Sequence, residues 1–199
     1  GTLFERGLNP DMRSQLGAHY TDPATILKLI RPVIEAPLLA EWQPVKARIA
    51  DLMDSYVQGG KGSQTARRDA QAALAGFIQR LKAYRVLDPA CGSGNFLYLA
   101  LKTLKDLEHR ANLEAEALGL HRELVIETSP ANVLGIELNP YAAELARVTV
   151  WIGEIQWMLA HGYALRRDPI LQPLDHIENR DAVLAYRQID SSSEIYCEP

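Results

Sequence analysis

Residues 85–96 decide the fold and read Arg-Val-Leu-Asp-Pro-Ala-Cys-Gly-Ser-Gly-Asn-Phe. A short apolar run that ends in an acid and leads at once into glycines is typical of a buried parallel strand followed by a ligand-binding turn. Pro89 and Gly92 end the strand, and Gly94 lets the backbone approach a bound molecule closely. We therefore expect a strand, a binding turn and a helix that begins at about Asn95.

Two further strands are predicted after this turn, each at a short apolar run. Residues 133–137 form the first of these runs, and residues 177–182 form a weaker one. Helical sequence separates the strands over residues 95–118 and 140–160, and Asn139 before a proline is typical of a helix start. Strand, crossover helix and strand in alternation specify a parallel sheet. The sequence therefore predicts an α/β fold.

Each predicted strand ends in an acid, namely Asp88, Glu137 and Asp181. Parallel sheets bind ligands beyond the carboxyl ends of their strands, so one cleft can receive all three side chains if the strands lie side by side. A carboxylate after the second strand can accept hydrogen bonds from two ribose hydroxyls, because it has two oxygens. Glu137 is therefore a candidate ribose ligand, whereas Asp181 alone could equally cap a helix or lie in a solvated loop.

The glycine turn also indicates the kind of nucleoside. A dinucleotide site needs a third glycine, but Leu97 occupies that position. Asp88 stands close to the expected ligand, where an acid disfavours a pyrophosphate and favours a cation. A ligand with a ribose, an adenine and a positively charged amino-acid tail meets these demands. The predicted cofactor is therefore S-adenosylmethionine.

The first 84 residues predict a helical segment. Asp22 can cap the first turn of a helix that Pro23 begins. A second helical stretch is expected to break at Pro44, and the glycine-rich residues 59–63 are expected to form a surface loop. We therefore divide the chain into an N-terminal helical segment, residues 1–84, and a cofactor-binding part, residues 85–199.

Composition excludes several classes of protein. The 199 residues are 47% hydrophobic, which suits a packed domain, and the net charge of −4 provides no general field that would attract a polyanion. The two cysteines, Cys91 and Cys197, have no metal-like or disulfide-like spacing, which favours a reducing cytoplasm. No apolar run approaches the ~18 residues that span a bilayer. We expect a cytoplasmic protein with no metal site and no membrane partner.

Four motifs resemble those of amino-methylating DNA methyltransferases. Residues 88–96, Asp-Pro-Ala-Cys-Gly-Ser-Gly-Asn-Phe, closely resemble the cofactor motif, and residues 135–140, Gly-Ile-Glu-Leu-Asn-Pro, resemble the second motif. Residues 17–21, Gly-Ala-His-Tyr-Thr, are similar to the segment that closes over the methionine end of the cofactor. Residues 179–182, Asn-Arg-Asp-Ala, are similar to the third motif, and the order of the motifs also matches.

The resemblance implies a partial Rossmann-like class I methyltransferase fold, a parallel sheet with flanking helices, preceded by the helical N-terminal segment. It also implies ten cofactor-binding residues, which contact the methionine end, the ribose and the adenine. Tyr20 and Thr21 are assigned to the methionine moiety, and Asp88, Ala90, Gly92 and Gly94 to the methionine and the backbone turn. Glu137 is assigned to the ribose and Asp181 to the adenine. Leu138, next to Glu137, and Ala182, next to Asp181, complete the set.

Members of this family carry Asn-Pro-Pro-Tyr/Phe or a close variant after the fourth strand. There the asparagine and a backbone carbonyl accept hydrogen bonds from the target amine, and the aromatic ring stacks on the flipped base. The sequence reaches Pro199 without this motif and so contains no candidate catalytic residue. We expect the cofactor-binding part of an adenine-N6 DNA methyltransferase of the fused type II restriction-modification kind, unable to transfer a methyl group by itself. DNA is then a partner mainly through parts of the protein outside this sequence.

Two alternatives and one structural expectation accompany this prediction. Methylation of cytosine N4, RNA or a protein glutamine would use the same cofactor residues. A noncatalytic module that keeps the nucleoside pocket for regulation or assembly also fits them. Without a fourth strand beside the first, the edge at Val86 and Leu87 is expected to pair with another chain, so self-association is predicted.

Overall fold

The computed structural model describes residues 21–121, 125–163, 174–184, 186–187 and 196–197. Helices make up most of this part, with a π-helical turn and a 3-10 turn between some of them. In chain order they are α1 (Pro23–Ile30), the π-helical turn Arg31–Glu35, α2 (Ala36–Gln58), α3 (Ser63–Ala83), α4 (Asn95–Ala117), the 3-10 turn Pro130–Asn132 and α5 (Pro140–Ala160).

The strands form a central parallel sheet and a separate antiparallel pair. They are β1 (Val86–Asp88), β2 (Val133–Glu137), β3 (Ile177–Asn179), β4 (Tyr186–Arg187) and β5 (Tyr196–Cys197). The sheet has the order β1-β2-β3, and β4 pairs only with β5 among the described strands. Helix α4 joins β1 to β2, and α5 follows β2. The predicted α/β class, a parallel sheet with flanking helices after a helical segment, is confirmed.

The parallel register of the sheet places the carboxyl ends of β1, β2 and β3 at the same edge. Asp88, the last residue of β1, lies opposite Gly135, and Glu137, the last residue of β2, lies opposite Asn179. The prediction for the third strand is wrong at its end, since β3 stops at Asn179, two residues before Asp181. The physical reason is the turn that follows, in which the Asp181 carboxylate accepts hydrogen bonds from the amides of Val183 and Leu184.

The helix predicted at Pro23 begins as expected. Asp22 caps α1, because its Oδ1 accepts hydrogen bonds from the amides of Ala24 and Thr25 at 3.0 and 3.1 Å. The predicted break at Pro44 is wrong, since α2 continues through it. An internal proline costs about 3 kcal/mol. Trp42 and Ile49, on either side of Pro44, are fully buried, and each large buried side chain contributes about 1.5–3 kcal/mol.

One apolar core extends from the N-terminal helices to the sheet. Trp42 of α2 packs on Phe77 of α3, with ring centroids 4.9 Å apart. The same core contains Leu97 of α4, Val133 of β2 and Ile177 of β3, all fully buried. The helices therefore support the sheet directly, and through it the ends of the strands.

A buried charged network joins α4 to α5. The Lys105 side chain is 1% exposed, and its Nζ lies 2.9 Å from Oε2 of Glu154 and donates a hydrogen bond to the Thr128 carbonyl at 2.8 Å. Glu108, one turn further along α4, accepts hydrogen bonds from the amides of Glu127 and Thr128 at 2.7 and 2.8 Å. Burial lowers the pKa of Lys105, while the neighbouring carboxylate of Glu154 opposes this shift. The network fixes α4 against α5 and against the chain that leads to β2.

Candidate functional site

The glycine turn after β1 is hydrogen-bonded to the end of β2. The amide of Cys91 donates to the Ile136 carbonyl at 3.0 Å, and the amide of Gly92 donates to Oε2 of Glu137 at 2.8 Å. Within the turn, the Gly94 amide donates to the Cys91 carbonyl at 2.8 Å. These bonds hold the turn in one conformation above the edge of the sheet.

The carboxylate of Glu137 is oriented by two main-chain amides. Oε2 accepts from Gly92, as described, and Oε1 accepts from the amide of Asn139 at 2.8 Å. An ionised carboxylate has about four acceptor positions, so two main-chain donors leave room for two more. Glu137 can therefore bind a pair of hydroxyl groups without giving up the bonds that orient it.

Asp88 lies close to Glu137 in the same site. Its Oδ1 accepts a hydrogen bond from the Ala90 amide at 3.1 Å. Burial raises the pKa of Asp88, the Ala90 hydrogen bond lowers it, and the Glu137 carboxylate raises it. The two acids thus form a negatively charged pair, which is suited to a ligand that brings positive charge and hydrogen-bond donors.

Gly94 allows the turn to touch α5. Its φ of +83° lies in the left-handed region, and a Cβ there would stand 2.9 Å from the Ala146 Cα and 3.1 Å from the Ala146 carbonyl oxygen. Gly92 also has a positive φ, +53°, but a Cβ there would meet nothing within 4 Å. Gly94 is therefore required both by its backbone conformation and by its close contact with α5, whereas Gly92 is required by conformation alone.

Cys91 supports the turn from below, a role that the sequence did not indicate. Its buried side chain lies so close to β2 that a Cβ on Gly135 would approach the Cys91 Sγ and the Leu97 Cδ1 to 2.9 Å each. Burial, together with the carboxylates of Asp88 and Glu137, raises the pKa of the Cys91 thiol to about 12. The thiol is therefore neutral at physiological pH and acts as a small packing group.

The end of β3 is tied to the end of β2 by a side chain. Nδ2 of Asn179 donates to the carbonyls of Glu137 and Leu138 at 2.8 and 2.9 Å, and the Arg180 amide also donates to the Glu137 carbonyl at 3.1 Å. Arg147 of α5 adds a second link, because its Nε and Nη2 donate to the Ile177 carbonyl of β3 at 3.1 and 2.6 Å. Strand β3 is thus held from both the sheet and the helix.

Asp181 lies just beyond β3, in the turn that follows Asn179. Its Oδ1 accepts from the amides of Val183 and Leu184 at 2.7 and 3.1 Å, and these two bonds lower its pKa. The adjacent Ala182 is exposed. The Asp181 side chain is therefore an ionised, oriented carboxylate two residues beyond the end of β3.

Two of the predicted residues that the structure describes lie apart from this cluster or on its rim. Leu138 follows Glu137 directly and is 70% exposed. Thr21 is exposed, precedes α1, and forms no hydrogen bond with the glycine turn among the described contacts. Tyr20 lies outside the described residues. The geometry thus brings Asp88, Glu137 and the glycines together and leaves the predicted methionine-closing segment untested.

Two other features of the described residues bear on ligands and membranes. They contain no group of three or more histidine, cysteine, aspartate or glutamate side chains placed to hold a metal ion. Among the same residues, no helix combines the length and the apolar composition that crossing a bilayer requires.

Residues 64–186 match the family model described as MmeI, DNA-methyltransferase domain. DNA methyltransferase A of Bacillus subtilis (strain 168) is 27% identical over 156 residues, which are 78% of this chain and 15% of the relative. A Methanocaldococcus jannaschii protein, named as a candidate type II restriction enzyme and methyltransferase, is 26% identical over 182 residues, which are 87% of this chain and 15% of that protein. The chain thus spans about 15% of the length of these curated relatives.

A solved structure shows the same similarity in three dimensions. The type IIL restriction-modification enzyme MmeI, in complex with DNA, has a TM-score of 0.63 and 27% sequence identity to this chain. The superposition covers 84% of this chain and 20% of MmeI. The family match spans more than half of the sequence and includes the glycine turn, Glu137 and Asp181. This chain belongs to the MmeI DNA-methyltransferase domain family.

Proposed function

We propose that this chain binds S-adenosylmethionine as the cofactor-binding part of a restriction-modification DNA methyltransferase that modifies adenine N6. The observation that carries the proposal is the Glu137 carboxylate, which the amides of Gly92 and Asn139 hold at the end of β2 with acceptor capacity to spare. Asp88 stands beside it with a raised pKa. Membership of a DNA-methyltransferase family supports a methyl donor as the ligand.

The residues of the site fit this cofactor. Glu137 would accept hydrogen bonds from both ribose hydroxyls, and Asp181 would accept one from the adenine amino group. Asp88 would face the positively charged methionine end, where a cation offsets the repulsion between Asp88 and Glu137. The cofactor supplies a methyl group on a positively charged sulfur. Thr21, with Tyr20, is proposed to contact the methionine moiety, and Leu138 and Ala182 to line the nucleoside.

The N-terminus of α4 supports the placement of the amino-acid end. Helix α4 begins at Asn95, directly after Gly94, and no side chain caps it. The free amides and the dipole of a helix N-terminus favour a negatively charged group. The methionine carboxylate would therefore lie at this helix end, while its ammonium group faces Asp88. Both charged groups of the methionine would thus lie next to a protein group of the opposite sign.

Calorimetric titration with S-adenosylmethionine tests the site. We expect Asp88→Ala and Glu137→Ala each to weaken binding at least about tenfold, the loss expected when a charge-assisted hydrogen bond is removed. Glu116→Ala is the matched control, because Glu116 is an exposed acid at the far end of α4. Undiminished binding in both site variants would refute the assignment of these residues.

The acceptor of the methyl group is proposed to bind outside this sequence. We therefore expect the 199-residue chain to bind the cofactor but to transfer no methyl group to duplex DNA. Turnover by this chain in a labelled-methyl assay would contradict the proposal. The alternatives separate in the complete protein, because adenine-N6, cytosine-N4, RNA and protein-glutamine methylation give different labelled products, and a noncatalytic module gives none. DNA is proposed as the partner of that complete protein, in the cytoplasm.

We also propose that β1 is an edge through which copies of the chain pair. Within the described residues β1 pairs with β2 alone, and Leu87 is 56% exposed. Exposed edge strands pair readily with other chains, and a lysine on the edge prevents this. Light scattering should show concentration-dependent association that Leu87→Lys abolishes, whereas a monomer at every concentration would contradict it.

The division at residue 84 is likewise a proposal, which limited proteolysis can check.

A further inference from the structure

We infer that Asn179 is a positioning residue that sets where Asp181 lies relative to Glu137, and thereby controls recognition of the adenine amino group. The inference rests on the proposed cofactor site. It concerns a side chain that contacts the two strand ends, not the cofactor itself.

The Asn179 amide links two strand ends through two separate hydrogen bonds. A primary amide has two N–H donors. Nδ2 of Asn179 donates to two consecutive carbonyls, those of Glu137 at 2.8 Å and Leu138 at 2.9 Å. These carbonyls belong to the residue that would bind the ribose and to its exposed neighbour. Asn179 therefore holds the chain after β3 against the chain after β2, at the level of the nucleoside.

Asp181 depends on this link for its position. Its own hydrogen bonds, from Val183 and Leu184, are local and orient the carboxylate within its turn. Beyond the strand ladder, the described hydrogen bonds that join this turn to β2 come from Asn179 and from the Arg180 amide. Loss of Asn179 removes two of these three hydrogen bonds and leaves the one from the Arg180 amide, so the turn can shift about that bond while the internal geometry of Asp181 is kept.

Because Asn179 is exposed, a substitution there can test its positioning role without disturbing the apolar core. The side chain is exposed and lies outside the apolar core, so its removal leaves the packing of α4, α5 and the sheet intact. Arg147 continues to hold β3 through the Ile177 carbonyl. A substitution at Asn179 should therefore change ligand discrimination far more than the melting temperature.

The ligand pair that reports on Asp181 is S-adenosylhomocysteine and S-inosylhomocysteine. The first presents an amino group that donates to Asp181, and the second presents an oxo group that repels the carboxylate. Sites that hydrogen-bond a ligand group reject an analogue lacking it. We expect the wild-type chain to prefer the adenosyl ligand by about tenfold or more. Asn179→Ala should reduce this preference to about the level of Asp181→Ala.

Calorimetry with both ligands should include a set of matched variants. Asn179→Asp keeps the side-chain shape but has no N–H donors, so it should lose the preference as Asn179→Ala does. Asp175→Asn is the control, since Asp175 is an exposed acid before β3 and no described hydrogen bond joins its side chain to the turn. The double variant Asn179→Ala/Asp181→Ala should lose no more preference than Asp181→Ala alone, because the two residues act through one contact.

The outcomes distinguish this inference from the proposed function. If the wild-type chain binds neither ligand, the cofactor site and the inference both fail. If Asp181→Ala loses the preference while both Asn179 variants retain it, the cofactor site stands and the role of Asn179 is refuted. Additive losses in the double variant also refute it. Should Asn179→Ala fail to fold, Asn179→Asp decides between these results.

Discussion

The main-chain amide of Gly92 donates a hydrogen bond to Oε2 of Glu137 across 2.8 Å, so the glycine turn after β1 and the acid that ends β2 form one unit. Asn139 completes this unit from the start of α5 by donating to Oε1. The proposed methionine and ribose parts of the site are therefore coupled through the protein before any ligand binds. A change in Glu137 should consequently affect the glycine turn as well.

Glu137→Gln tests this coupling in the absence of ligand. A glutamine has one carbonyl oxygen, so it can satisfy only one of the two amides and presents an N–H group to the other. We expect faster hydrogen exchange at Gly92 or Asn139 in the ligand-free protein, and cofactor binding weaker by about 10- to 100-fold. Nuclear magnetic resonance and calorimetry measure the two effects. Unchanged exchange at both amides would show that the carboxylate does not hold the turn.

Asp88→Asn should stabilise the ligand-free protein and weaken cofactor binding. Burial and the Glu137 carboxylate raise the pKa of Asp88 above its usual 3.8. The folded state therefore binds the Asp88 proton more tightly than the unfolded state, and stability falls as the pH rises through this range. Asparagine keeps an oxygen for the Ala90 amide but carries no charge.

The expected result at pH 7 is a higher melting temperature for Asp88→Asn than for the wild type, because the variant removes the buried charge beside Glu137. At pH values below 3.8 the wild-type carboxyl is protonated, so the difference should disappear. Thermal melts at both pH values give the comparison. A variant that melts lower than wild type at pH 7 would contradict the proposed repulsion.

Gly94→Ala should be clearly more destabilising than Gly92→Ala. Both substitutions place a side chain on left-handed backbone, which costs about 1–2 kcal/mol. At Gly94 the new methyl group also collides with the backbone of Ala146, and overpacking adds about 1–3 kcal/mol. Urea denaturation of the two variants measures the difference directly. Equal losses of stability in the two variants would mean that the close contact between Gly94 and Ala146 does not contribute to the difference.

Removal of Lys105 should be costly, and removal of its partner should restore much of the loss. Lys105→Met removes the buried cation that pairs with the Glu154 carboxylate and lies near the buried Glu108, for an expected loss of about 3–5 kcal/mol. The double variant Lys105→Met/Glu154→Met replaces the ion pair with apolar side chains and should recover at least half of this. Denaturant titration gives the free energy of unfolding of both variants. A double variant no more stable than Lys105→Met would contradict a stabilising interaction between Lys105 and Glu154.

The sequence was sufficient to predict the parts of the site that depend on local pattern. The strand ending at Asp88, the turn at Gly92 and Gly94, and the helix start at Asn95 each follow from neighbouring residues, and all appear where they were expected. Glu137 at the end of the second strand follows from the same alternation of strand and helix. Local chemistry determines these features, so a single sequence contains the required information.

The features that were missed depend on contacts between distant residues. Asn179 lies in a quoted motif, but its bonds to Glu137 and Leu138 require the register of β3 on β2. Arg147 belongs to a helix whose pattern gives no indication of a bond to the Ile177 carbonyl. The wrong prediction at Pro44 has the same origin, because burial of the helix, and not its local propensity, decides its continuation.

The ion pair between the buried Lys105 and the partly buried Glu154 also limits how α4 and α5 can slide past each other. A shift of one helical turn, about 5.4 Å, would separate the two charges inside the core, whereas apolar side chains alone would tolerate such a slip. Helix α4 starts directly after the glycine turn, and α5 starts three residues after Glu137. We expect this longitudinal alignment of the helices to keep their two N-termini level, and with them the two halves of the proposed pocket.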